Sequence, residues 1–106
     1  MTDERTNEQI SAEIAERLFE NPIEWRMVAG KPFASDYNAA LGLVVPEMRE
    51  RGYEFASMDR DGEFRCSFYR PKSNILDVVI GVPFGEEPRA ICLAALAALD
   101  TEEAQG

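Results

Sequence analysis

Residues Ala90–Leu99 read Ala-Ile-Cys-Leu-Ala-Ala-Leu-Ala-Ala-Leu, with no polar side chain among them. Pro88, just upstream, suits the first turn of a helix, where its missing N–H would have no helical partner anyway. The pattern predicts a helix from Pro88 through Leu99. A helix that is apolar all round must be covered on more than one side. One side can take a sheet. The other needs a neighbouring helix or a second copy of the chain, so a homo-oligomer joined through this helix is expected.

The sheet is written in the preceding residues. Tyr53–Met58 alternates like a strand, Asp59-Arg60-Asp61-Gly62 is a hairpin turn, and Glu63–Arg70 is the returning strand. On that strand Phe64, Cys66 and Phe68 fall on one face and Arg65, Ser67 and Tyr69 on the other. Pro71-Lys72-Ser73-Asn74 reads as a second turn. Ile75–Val82 is a nearly unbroken β-branched run, the pattern of a strand covered on both faces, and Pro83-Phe84-Gly85 ends it.

Upstream of the sheet are two helical patterns. Thr6 with Gln9 makes a capping box, followed by Ile10, Ile14 and Leu18 on one stripe with Phe19 beside them. Asn21-Pro22 stops that helix. Ile23, Trp25 and Met27 alternate with Glu24 and Arg26, the pattern of a short edge strand within Ile23–Lys31. Ser35 is the expected cap of the second helix, with Asp36 at its positive end. Tyr37, Ala40, Leu41, Val44 and Met48 form its apolar stripe. Pro46 predicts a kink or two abutting helices. Arg49, Arg51 and Gly52 close it.

These elements imply an α+β fold of order α-α-β-β-β-α: a three-stranded antiparallel sheet flanked by helices on both faces, an α/β/α sandwich. The 106 residues suffice for one domain, spanning 1–106, with residues 1–5 and 101–106 expected to fray.

Composition narrows the chemistry. There is no histidine, which removes the commonest general base and transition-metal ligand together. The two cysteines, Cys66 and Cys92, lie within apolar patterns and read as buried thiols. Ser57 to Phe68 cannot form a calcium loop, because the bidentate glutamate is missing. Gly81-Val-Pro-Phe-Gly85 is not a phosphate loop. No enzymatic activity, cofactor or metal is expected. No apolar run is long enough to cross a bilayer and no signal peptide opens the chain, so a cytoplasmic protein is expected.

The net charge of −9 repels phosphate backbones, so direct nucleic-acid binding is not expected. Asp3, Glu4, Glu8, Glu13, Glu16 and Glu20 crowd the first helix, and Asp100, Glu102 and Glu103 the tail. That surface is either a solvated face or one that occupies a basic groove on another protein, with Glu8, Glu13, Glu16 and Glu20 as its contacts. Against it stands one basic group: Arg65, Arg70 and Lys72, with Arg26 and Lys31 placed to join them and Tyr69 in the same strand. Arginines beside an aromatic can grip a phosphate and stack on a base, or simply pair with Glu54, Glu63 and Asp77.

Three segments, Pro32-Phe-Ala-Ser-Asp36, Arg49-Glu-Arg-Gly-Tyr53 and Ala90-Ile-Cys-Leu-Ala-Ala-Leu96, resemble the phage ABA-sandwich domain family. The resemblance covers Pro32 to Leu99. It implies a phage origin, a non-enzymatic role in the host cytoplasm, and kinship with the Thoeris anti-defence sponges, which sequester cyclic nucleotide signals as oligomers. The arginine that the family often carries after the last-helix cysteine is Leu93 here, with Arg89 one turn earlier. On this reading Arg65, Tyr69, Arg70 and Arg89 hold a phosphorylated signal and Asn74 reads its base or ribose. The alternative keeps the phage context and has the acidic face plug the groove of a host defence nuclease or CRISPR complex.

Overall fold

The computed structural model describes residues 5–19, 30–71 and 79–105, with side chains described through Thr101. The fold is α+β. Helix α1 (Asn7–Leu18) and helix α2 (Tyr37–Ala39), which runs through a π-helical turn (Ala40–Val44) into α3 (Val45–Glu50), precede a three-stranded antiparallel sheet. The strands are β1 (Glu54–Arg60), β2 (Glu63–Tyr69) and β3 (Ile80–Pro83), in that spatial order, and α4 (Glu87–Gln105) follows them. Element order and the sandwich of sheet and helices are those the sequence implies. The edge-strand pattern at Ile23, Trp25 and Met27, the second turn beyond Pro71, and residues 75–78 lie outside the described residues.

Thr6 caps α1 as its sequence implies. Its hydroxyl accepts the Gln9 N–H at 3.1 Å, and the Gln9 side chain accepts the Thr6 N–H at 2.9 Å. Ile10, Ile14, Leu18 and Phe19 are buried. The second helix begins one residue later than expected. Its cap is Asp36, whose carboxylate accepts the N–H groups of Asn38 and Ala39. A turn closed by Ser35 and Asp36 N–H bonds to the Pro32 carbonyl takes up Ser35, which leaves Asp36 as the first residue free to cap.

Pro46 lies in the first turn of α3, and α2 and α3 abut through the π-helical turn, one of the two arrangements expected. The Val45 N–H reaches back five residues to the Ala40 carbonyl, and this wider turn carries the chain past the N–H that Pro46 lacks. The helix ends in a Schellman motif. Gly52, at φ 93°, donates to the Arg49 carbonyl, and Tyr53 donates to that of Met48. Tyr53 and Met48 are both buried, and the Tyr53 hydroxyl donates to the Ala98 carbonyl of α4 at 3.4 Å. The Arg51 guanidinium turns back to cap the end of α1, donating to the carbonyls of Arg17 and Leu18.

The hairpin turn is tighter than its sequence suggested. The strands run to Arg60 and from Glu63, leaving Asp61-Gly62 alone at φ 53° and 76°, a two-residue turn of the kind whose twist suits a hairpin. Phe64, Cys66 and Phe68 are buried, and Phe55, paired opposite Phe68, sets its ring at a tilt of 42° with centroids 5.0 Å apart. On the described part of β3 the burial alternates: Ile80 and Val82 are half-buried, and Gly81 and Pro83 are exposed. The two-sided burial read from the run Ile75–Val82 does not extend to these four residues, whose alternation is that of a strand partly covered on one face.

Helix α4 packs on β2 and β3 with one side, and against α1 and the π-helical turn with the other. Ala90, Ile91, Cys92, Ala95 and Leu96 are fully buried. The apolar helix therefore finds cover on both sides within one chain. It also continues to Gln105 rather than stopping at Leu99, with the Thr101 hydroxyl bonded back to the Ala97 carbonyl. Arg5 pairs with Glu13. Arg89 of α4 donates to the Asn7 side chain at 2.7 Å, and Arg17 pairs with Asp100 at 2.7 Å, so α1 and α4 lie side by side in parallel. No helix among the described residues is long and apolar enough to cross a membrane.

Candidate functional site

The residues expected to grip a phosphorylated ligand do not converge. Arg65 is exposed on β2, opposite Met58, and pairs with Glu63 two residues away at 3.1 Å. This pairing with Glu63 runs along the strand rather than across it. Tyr69 shares the Arg65 face of β2 but lies four residues further on, roughly 13 Å along the strand, opposite Glu54. Arg70 has turned away. Its guanidinium sits 4.6 Å over the Tyr53 ring and donates to the Arg51 carbonyl. Arg89 belongs to a different surface, where it donates to Asn7 and to the Arg5 carbonyl. Asn74 and Lys72 lie outside the described residues.

Arg89 does line a groove. Together with Arg5, Leu93 and the strand residues Val79–Pro83 it borders a volume of about 650 Å³ between α4 and the edge of the sheet. Glu86 and Asp100 also line it, so two arginines meet two carboxylates there.

The acidic residues of α1 are arranged more coherently. Glu8 and Glu16 are exposed, two helical turns apart on the side away from the buried Ile10, Ile14 and Leu18. Glu13, three residues before Glu16, is half-exposed and paired with Arg5. Glu20 lies outside the described residues. The ridge runs into a hollow of about 370 Å³ where Glu8, Ser11 and Ala12 meet Lys31, Pro32 and Ser35.

Two residues beyond Ser35, Tyr37 forms a wall of another cavity, of about 460 Å³. Phe84 and Phe64 line it with Tyr37, and Ser57, Met58, Asp59 and Glu87 complete it. Tyr37 and Phe84 are 45% and 54% exposed, far more than aromatic rings placed for core packing, whereas Phe64 is buried. The Glu87 carboxylate accepts the Gly85 N–H at 2.8 Å. That bond, and a second from its own backbone N–H, hold its pKa below the usual glutamate value, so it is charged at neutral pH.

Sequence reasoning placed Tyr37 in the buried stripe and read Phe84 only as part of a strand stop. The buried positions are in fact Ala40, Val44, Val45 and Met48, and Tyr37, the first helical residue after the Asp36 cap, is exposed. Phe84 had a legible signal: an aromatic between Pro83 and Gly85 sits in a turn, where the backbone leaves few neighbours to cover it.

Cys66 and Cys92 are buried free thiols, as their patterns imply. Burial pushes both up to about 12, and Cys66 adds to the effect on Cys92. A thiol held protonated is a poor nucleophile. Among the described residues no cluster of cysteine, aspartate and glutamate is grouped to hold a metal ion. Comparison with known protein families, characterised proteins and solved structures finds no match to this chain.

Proposed function

We propose that this chain is a non-enzymatic binding protein of the anti-defence kind its phage-family resemblance implies, and that it docks on a basic protein partner. The observation supporting this reading is the exposed ridge of Glu8 and Glu16, with Glu13 beside it, on a chain of net charge −9. A like-signed ridge on a rigid helix raises the rate at which a basic surface arrives and orients it on arrival. A host defence protein whose groove normally holds nucleic acid has the required charge.

The test separates the ridge from net charge. Glu8→Lys with Glu16→Lys and Glu50→Lys with Glu54→Lys change the charge equally, and all four positions are exposed. Binding of a hexa-arginine peptide is followed by biolayer interferometry at about 50 and about 300 mM salt. The ridge variant should lose at least about fivefold more affinity than the control pair, with the larger loss at low salt. Equal losses would reject the ridge as the docking surface.

A phosphorylated small molecule is the second reading, favoured by Arg89 and Arg5 in the 650 Å³ groove. It no longer includes Arg65, Tyr69 and Arg70, which lie elsewhere. It requires a cyclic dinucleotide to bind in isothermal titration calorimetry and Arg89→Gln to abolish that binding. A wild-type protein that gives no heat with the nucleotide removes it.

A further inference from the structure

We infer that the cavity between Tyr37 and Phe84 receives an arginine side chain of the basic partner. This rests on the reading of the chain as an acidic docking protein, and adds where the specificity of that docking lies. Three observations support it. The cavity is walled by aromatic rings, and two of them, Tyr37 and Phe84, are about half in solvent. Among the described residues its charged groups are the carboxylates of Asp59 and Glu87, with no cation in the lining. It adjoins the ridge through one short segment, since Ser35 borders the hollow beside Glu8 and Tyr37 borders the cavity.

The chemistry selects the guanidinium. A planar cation stacks on an aromatic face, and its fork of N–H donors matches a carboxylate edge. A phosphate would meet two like charges here. A neutral apolar side chain would desolvate Asp59 and Glu87 with nothing to pair them. An ammonium satisfies the charge but makes no stacking contact, so lysine is the weaker occupant.

The test uses the full chain with hexa-arginine and hexa-lysine peptides in isothermal titration calorimetry. Tyr37→Ala with Phe84→Ala leaves the net charge untouched and removes only exposed rings. It should weaken hexa-arginine binding about tenfold and hexa-lysine binding by no more than about twofold. Wild-type protein should prefer hexa-arginine. The cavity assignment is overturned if the aromatic double variant binds hexa-arginine as the wild type does, or if wild type shows no preference between the peptides. The ridge is judged separately by Glu8→Lys with Glu16→Lys, so one assignment can fail while the other stands. Circular dichroism of each variant confirms that the fold is kept.

Discussion

The Ser11 hydroxyl accepts the Ala34 backbone N–H at 2.9 Å across 23 residues of sequence, and both residues are buried. This bond fixes α1 against the segment that leads into the second helix. It therefore also fixes the spacing between the acidic ridge and Tyr37. Ser11→Ala leaves the Ala34 donor buried and unsatisfied, which should cost roughly 1–3 kcal/mol. Urea unfolding measures it. A midpoint equal to that of the wild type would mean that Ala34 finds another acceptor.

The two thiols make the folded state sensitive to alkali. Both titrate near 12 when folded, against an ordinary value of 9.0. The folded state therefore holds its protons longer, and the stability this gives is present below pH 9 and lost as the pH rises from there toward 12. Other groups titrate in that range, so the difference between wild type and Cys66→Ala or Cys92→Ala isolates the thiols. The wild type should lose stability more steeply. In native protein at about pH 8 neither thiol should react with a disulfide reagent on a timescale of minutes. Prompt release of two equivalents would contradict their burial.

Gly62 completes a turn that few residues can form. With Asp61 already at φ 53°, Gly62 at 76° carries the second left-handed position. Gly62→Ala should destabilise the protein by about 1–2 kcal/mol. Asp61→Asn should be neutral or slightly stabilising, since asparagine tolerates that conformation at least as well. Thermal unfolding distinguishes them, and equal melting temperatures for Gly62→Ala and wild type would show that the turn adopts another form.

The parts of this fold that depend on local chemistry could be read from the chain. Thr6 with Gln9, Gly52 after the arginines and the Asp61-Gly62 pair each solve a backbone problem that arises within a few residues. The buried face of β2 followed from simple alternation. Pro46 was harder, because a lost hydrogen bond can be met by a kink, a break or a wider turn, and neighbouring packing chooses among them. The candidate site was hardest. The arginines of β2 and α4 shared a charge, but strand direction and helix placement sent Arg65, Arg70 and Arg89 to separate partners. Tyr37 and Phe84 are 47 positions apart in sequence (84 − 37), and no pattern local to either predicts that they border one cavity.

A chemical-shift map of the ¹⁵N-labelled protein titrated with hexa-arginine bears most directly on docking through the acidic side. We expect the largest changes at Glu8–Glu16, at Ser35–Tyr37, and at Asp59 and Phe84–Glu87, with saturation at one equivalent. Changes centred on Arg65 and Tyr69, or spread evenly over every exposed carboxylate, would contradict it.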